Sequence, residues 1–279
     1  MGLSLAVFWG LCIVCEAVLL VYDRQSAYLG YGAFAYGAVL WIITRSCIRL
    51  DVQSEQRALK AAATGWRLWA RVAVVATTLA LVIPGRQLLW HSSAVAAIQR
   101  FSAPVHLGAD SAIPNFVFYA LVPGLLLLAL GAKPIELGLT AWRKGGTLAL
   151  LGALVLPAIF TVIWFAKADG SVALLLFFFV RNLLSNGFSE EFLMRGMLFS
   201  HLRAFMSKEW GLVTQAFLFG LFHFEAGERP GWGLEAAAVI AMNAPIGYFL
   251  GLMALRARSV VFTGLIHATL DMMGEMTRG

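Results

Sequence analysis

The sequence predicts an all-α fold, a polytopic membrane helical bundle with about 8–9 transmembrane helices. Of its 279 residues, 60% are hydrophobic and only 13% are charged, about half the charged share of a soluble domain. In a bilayer only helices and closed barrels pair all their backbone groups. The apolar runs do not alternate with polar residues as barrel strands do. A soluble domain, a disordered chain and a β-barrel are therefore excluded.

Nine apolar runs approach the length that a helix needs to cross the hydrocarbon core. The first starts at Leu3 with no basic residue before it, so we expect a retained helix rather than a cleaved signal peptide. The run at 172–203 is too long for one simple span, and we expect it to tilt, to bend near Asn186 and Gly187, or to be two pieces. The stretch 48–67 is a candidate surface helix. The runs are 3–22, 28–47, 68–84, 112–131, 146–166, 172–203, 211–225, 233–254 and 259–275.

The basic residues predict membrane topology and no nucleic-acid partner. The net charge is +6, but the positive side chains lie in short loops between apolar runs, as the positive-inside rule describes. If every run spans, the more basic side is cytoplasmic, with the N-terminus inside and the C-terminus outside. The basic residues on that side are Arg45, Arg49, Arg57, Lys60, Arg67, Arg71, Lys133, Arg143, Lys144, Arg203, Lys208, Arg256 and Arg258.

Charged side chains inside predicted spans are costly and are usually functional or paired. In the sixth run, Glu191 precedes Arg195 by one helical turn, the favourable order for an ion pair. Such a pair leaves Glu190 free to act alone, on a helix face shared with Asn182 and Asn186. The alternative is that both acids belong to an ion network that locks the helices together.

Two later runs carry histidines. His223 lies in the seventh run, and His267 and Asp271 lie one turn apart on one face of the ninth. Counted from the cytoplasmic helix ends at about 1.5 Å per residue, Glu190 and His223 lie roughly 20 and 18 Å deep, and the ninth-run pair roughly 12 and 18 Å. We therefore expect the ionisable groups of three helices to converge.

These residue types suit peptide-bond hydrolysis. A glutamate near a histidine can act as general base for a water that attacks an amide carbonyl, while histidines position the water, protonate the leaving amine or stabilise the oxyanion. A glutamate, two histidines and an aspartate can also bind zinc, although the His-Glu-x-x-His pair is absent. Both mechanisms remain open from the residues alone.

Three motifs together look like the signature of the CAAX protease and bacteriocin-processing (CPBP, or Abi) family of intramembrane proteases, which includes the type II CAAX prenyl endopeptidases. The resemblance covers about residues 110–275. It implies lineage-specific N-terminal membrane helices in residues 1–110 and a CPBP-like protease core in residues 111–279. The motifs are Glu190-Glu191-x-x-x-Arg195, Phe219-x-x-x-His223 and His267-x-x-x-Asp271.

The resemblance implies a glutamic-type mechanism, with Glu190 as general base and His223 positioning or activating the water. It assigns oxyanion contacts to His267 and to the position of Asp271. The type II prenyl endopeptidases generally have Asn at that position, and an ionised Asp cannot donate to an oxyanion. Asp271 is then protonated, orients His267 or ligates a metal. The supporting residues in this interpretation are Glu191, Arg195 and Asn186.

We interpret the chain as a cofactor-free intramembrane endopeptidase of the bacterial inner membrane, which cuts a membrane-anchored protein or peptide near the cytoplasmic half of the bilayer. Candidate substrates are prenylated C-termini, leader peptides and C-terminal sorting tails. One alternative is a non-catalytic binding or immunity protein, and another is a transporter with a proton relay, against which the lack of inverted repeats counts. A third is a zinc-dependent protease with the ligands Glu190, His223, His267 and Asp271.

Overall fold

The computed structural model describes residues 2–49, 65–102, 112–167, 171–225 and 230–276. Within these ranges most residues are helical and no strand occurs, which confirms the predicted all-α bundle. Most of the candidate surface helix at 48–67 lies outside the described residues. The helices are α1 (Leu3–Tyr22), α2 (Arg24–Cys47), α3 (Trp66–Val82), α4 (Arg86–Trp90), α5 (Ser93–Ser102), α6 (Ala112–Ala129), α7 (Gly146–Ala153), α8 (Val155–Lys167), α9 (Val172–Leu202), α10 (Lys208–Phe222), α11 (Trp232–Ala257) and α12 (Val260–Met276).

Six described segments are long and apolar enough to cross a membrane, and the protein is an integral membrane protein. They are α1, α2, α6, α9, α11 and the segment Gly146–Phe165, which combines α7 with most of α8. Helices α3 and α10, with 17 and 15 residues, coincide with two further predicted spans. Helix α12 contains the shorter apolar segment Val260–Met273.

Short polar side chains fix where several helices begin. The Asp23 carboxylate accepts from the Ser26 amide at 3.2 Å and thereby caps α2. Ser171 caps α9 through the Leu174 amide at 3.1 Å. These bonds satisfy amides that have no partner within the helix, and they separate consecutive apolar runs into distinct helices.

One end of the bundle, which we call the basic end, brings together loops that are distant in sequence. Arg256 near the end of α11 donates through Nη2 to the Arg45 carbonyl of α2 at 3.1 Å. Arg71 near the start of α3 pairs with Glu136 at 3.0 Å and donates through Nε to the Leu130 carbonyl, just beyond α6, at 3.3 Å. The Val260 amide, just past α11, donates to the Gly138 carbonyl in the loop after α6 at 3.0 Å and joins these two sets of contacts. The four helix ends therefore lie at one end of the bundle, as expected for spans that alternate in direction.

Helix α9 is continuous over 31 residues, so the long sixth run is not two pieces. It contains two π-helical segments, Leu183–Gly187 and Phe192–Phe199, in which hydrogen bonds reach five residues back and each turn is wider than in an α-helix. The Ser189 hydroxyl donates to the Leu184 carbonyl within this distorted region. Wide turns shift which side chains share a face, and here they border the predicted acid pair.

Candidate active site

Helices α9 and α12 touch through their glycines. A Cβ built on Gly187 would lie 2.5 Å from the Gly264 carbonyl oxygen and 2.8 Å from the Ala268 Cβ. Real Cβ atoms do not approach other atoms so closely, so only glycine at position 187 allows the two backbones to lie this near each other. This contact brings the acid pair of α9 beside His267 of α12.

The Glu191 carboxylate is held on two sides. Its Oε1 accepts from Arg195 Nη1 at 2.8 Å and from His267 Nδ1 at 3.1 Å, and all three side chains are buried. Because a carboxylate only accepts, Nδ1 of His267 carries a proton and Nε2 points the other way. The predicted ion pair between Glu191 and Arg195 is present in the structure.

Arg195 ties this group to the neighbouring helices. Its Nη2 donates to the Gly247 carbonyl of α11 at 2.8 Å, and Gln215 of α10 donates to the same oxygen at 3.0 Å. The guanidinium also lies 4.5 Å from the centre of the Phe219 ring, a favourable position for a buried cation. The charge of Arg195 is therefore satisfied by one acid, one carbonyl and one aromatic face.

Glu190 is buried, yet its Oε2 accepts no hydrogen bond from any described residue. It lies 3.8 Å from Nε2 of His223 and 4.0 Å from Nε2 of His267. Both distances are too long for a direct hydrogen bond, but a single water or substrate oxygen between the groups can bond to more than one of them. Nδ1 of His223 lies 2.8 Å from the Phe219 carbonyl, to which it donates, so Nε2 of the neutral ring is a free acceptor.

Asp271 occupies the open edge of the site. Its Oδ2 accepts from Asn186 Nδ2 at 2.9 Å and lies 3.7 Å from Nε2 of His267. The side chains of Asp271 and His223 are 29% and 32% exposed, whereas those of Glu190 and His267 are below 10%. Asp271 and His223 therefore lie nearer the surface of the protein, with Glu190 and His267 behind them.

The structure brings all the sequence-predicted site residues into this one cluster: Asn186, Glu190, Glu191, Arg195, His223, His267 and Asp271. His223 lies just past the end of α10 rather than inside a helix. Asn182, predicted on the same face as Asn186, instead donates to the Phe178 carbonyl of its own helix. Among the described residues, no three His, Cys, Asp or Glu side chains are arranged to hold a metal ion.

Sequence reasoning missed the backbone parts of the site. The Gly247 carbonyl, which accepts from two side chains, carries no residue signature. Gly264, which faces Gly187 across the α9–α12 contact, looks in the sequence like any other glycine in an apolar helix. Only the three-dimensional packing shows that these positions shape the site.

Residues 171–273 match the family model described as type II CAAX prenyl endopeptidase Rce1-like. This segment contains all seven residues of the cluster, and the match confirms the resemblance that the motifs indicated. Comparison with curated proteins and with solved structures finds no match.

Proposed function

We propose that this integral membrane protein is a glutamic-type intramembrane endopeptidase in which Glu190 activates a water molecule. The observation that carries the proposal is the position of Glu190 Oε2, which faces His223 Nε2 at 3.8 Å and His267 Nε2 at 4.0 Å. The similarity of residues 171–273 to an endopeptidase family supports hydrolysis of a peptide bond.

Water activation follows from the acceptors that face this space. A water between Glu190 and His223 donates one hydrogen to the carboxylate and the other to Nε2 of the neutral ring. As the water oxygen attacks the peptide carbonyl carbon, its proton passes to Glu190, which acts as general base. The bond from His223 to the Phe219 carbonyl keeps the accepting nitrogen turned toward the water.

His267 is placed to stabilise the negative charge that then develops on the carbonyl oxygen. With Nδ1–H bonded to Glu191, its imidazolium form presents Nε2–H toward the same space. When the tetrahedral intermediate collapses, the C–N bond breaks and the leaving amine takes the proton from Glu190. The carboxylate is regenerated and no cofactor is consumed.

Asp271 has an orienting role in this proposal. It accepts from Asn186 and faces Nε2 of His267, so its negative charge favours the imidazolium that the oxyanion needs. A protonated Asp271 is not required, because His267 supplies the donor. An Asp at this position, where the prenyl endopeptidases generally have Asn, is therefore compatible with the proposed mechanism.

In this proposal, the substrate is a membrane-anchored protein or peptide of the bacterial inner membrane. The basic end is the cytoplasmic end under the positive-inside rule, which places the N-terminus inside and the C-terminus outside. Glu190 lies about 12 residues from the basic end of α9, roughly 18 Å at the helical rise. Prenylated C-termini, leader peptides and C-terminal sorting tails are the substrate classes to test.

Cleavage of these three substrate classes by purified protein in liposomes tests the proposal. The matched variants are Glu190→Gln and Glu209→Gln, because Glu209 lies on the surface of α10 with 47% of its side chain exposed. We expect cleavage by the wild type and by Glu209→Gln, with and without chelator, and none by Glu190→Gln. Loss with chelator and recovery with zinc would instead establish the zinc protease. Full cellular function of Glu190→Gln without any cleavage would establish a binding protein.

A further inference from the structure

Arg86, on the short helix α4, has no role in the chemistry proposed above. Its guanidinium carbon lies 6.0 Å from the centre of the Phe222 ring, and Phe222 directly precedes His223. Within the described part of the chain, Arg86 forms no ion pair and no hydrogen bond. Because Arg86 is half-buried, its five donors remain available to an acceptor that reaches it.

The position of Arg86 is fixed by the turn before it. The Gly85 amide donates to the Ala80 carbonyl at 2.8 Å, and a Cβ at Gly85 would lie only 2.8 Å from that same oxygen. Further along α4, Leu89 is buried in the core. The tight turn and the buried leucine hold this helix against the bundle.

The surroundings of Arg86 connect it to the proposed catalytic cluster. The Phe222 ring, only 4% exposed, makes edge-to-face contacts with His223 at 5.4 Å and with Tyr119 at 5.6 Å. Arg86, His223 and Tyr119 therefore all lie beside the same Phe222 ring. A peptide that extends a few residues from the scissile bond at His223 can therefore reach the guanidinium.

We propose that Arg86 binds a carboxylate of the substrate and so selects which peptides are cut. A guanidinium fork matches a carboxylate with two parallel hydrogen bonds, and apolar surroundings strengthen such a pair. The carboxylate comes from the C-terminus of the substrate or from an acidic side chain near the cut. Arg86 is thus a specificity residue, and its assignment rests on the proposed peptide hydrolysis.

Binding measured without turnover tests this role independently of catalysis. The probes are a fluorescent farnesylated peptide with a free C-terminal carboxylate, its C-terminal amide, and a leader peptide with Glu or Gln beside the expected cut. Each is titrated onto Glu190→Gln protein in liposomes, with Arg86 intact or changed to Gln. Arg86→Lys and Arg100→Gln are the comparison variants, since Arg100 is an exposed arginine on α5.

We expect Arg86→Gln to weaken binding of carboxylate-bearing peptides about 10- to 100-fold, the range of a charge-assisted hydrogen bond, and to leave their neutral counterparts unchanged. Arg86→Lys gives an intermediate loss and Arg100→Gln gives none. Weak binding of the C-terminal amide to protein with Arg86 intact identifies the substrate C-terminus as the source of the carboxylate. Weak binding of the Gln-containing leader peptide identifies an acidic side chain instead. The proposal would be overturned if Arg86→Gln weakened the binding of charged and neutral peptides equally, as a structural or lipid-headgroup role predicts. It would also be overturned if the substitution weakened the binding of neither.

Catalysis is read separately in the otherwise wild-type protein. There we expect Arg86→Gln to raise KM for the carboxylate peptides by the same factor and to leave kcat nearly unchanged. If these effects are absent while Glu190→Gln still abolishes cleavage, only the specificity role fails. If Glu190→Gln cleaves normally, the proposed function itself fails, whatever Arg86 does.

Discussion

Glu190 and Glu191 are adjacent in the chain, yet their carboxylates have opposite surroundings. Oε1 of Glu191 accepts two hydrogen bonds, from Arg195 and His267, whereas Oε2 of Glu190 accepts none from the described residues and faces His223 across 3.8 Å. The helix rotates by about 100° between neighbours, so the two acids point to different sides of α9. The Glu191 carboxylate thus bridges α9 and α12, whereas Glu190 directs an oxygen without a protein donor toward His223.

This division predicts different stabilities for two isosteric variants. Glu191→Gln leaves the buried Arg195 without its ion partner and should lower the free energy of unfolding by about 3–5 kcal/mol. Glu190→Gln removes an acid that accepts no hydrogen bond through Oε2 and should unfold at or above the wild-type temperature. Thermal unfolding of both variants in the same detergent measures the difference. Equal midpoints would contradict the structural role of Glu191.

His223 should matter far more for rate than for folding. Its ring lies just past the end of α10, is 32% exposed and bonds to a carbonyl of the preceding turn, so His223→Ala should lower the unfolding temperature by only a few degrees. We expect cleavage to fall by about 10²–10⁴, because the substitution removes the nitrogen that positions the water. His91→Ala, at an exposed position next to α4, is the control and should keep the wild-type rate. A His223→Ala protein that cleaves at that rate would remove His223 from the mechanism.

The α9–α12 contact should not tolerate a methyl group. In Gly187→Ala the new Cβ would lie 2.5 Å from the Gly264 carbonyl, so the helices must separate and the acid pair moves away from His267. We expect a loss of about 1–3 kcal/mol in stability together with loss of cleavage. Gly32→Ala in α2, where nothing lies within 4 Å of the added Cβ, should keep both stability and activity. If both alanine variants behave alike, the close contact is not a requirement.

Two substitutions at Asp271 distinguish an orienting residue from a zinc ligand. In Asp271→Asn the amide oxygen can still accept from Asn186, and the amide nitrogen can donate to an oxyanion, so we expect at least about a tenth of the wild-type rate. Asp271→Ala removes both contacts and should lower kcat by about 10²–10³. Steady-state kinetics with and without added zinc measure these effects. A strong loss in Asp271→Asn that zinc restores would identify Asp271 as a metal ligand.

Much of the molecule could be predicted because membranes impose strict rules on sequence. The apolar runs predicted the all-α bundle, and one-turn spacing predicted the pair of Glu191 with Arg195 and the shared face of His267 and Asp271. Similar depths in three helices indicated that the ionisable groups would meet. These inferences need only helix geometry and the high energy of charges in lipid.

The remainder depends on packing that no local pattern encodes. The wide turns of α9 changed the predicted face, so that Asn186 reaches Asp271 while Asn182 bonds its own helix. The Gly247 carbonyl joins the site through contacts between three helices. Arg86 belongs to none of the three sequence motifs, and the tight turn at Gly85 places it beside Phe222.

Single-turnover cleavage by Glu190→Gln tests the central claim most directly. The enzyme is reconstituted in excess over a bound fluorescent peptide, and product is followed by mass spectrometry, with Glu209→Gln as the control for removal of a negative charge. We predict that Glu190→Gln binds the peptide as tightly as the wild type, unfolds at or above its temperature and cleaves at least about 100-fold more slowly. Cleavage at the wild-type rate by this folded, peptide-bound variant would contradict the assignment of Glu190 as the base that activates water.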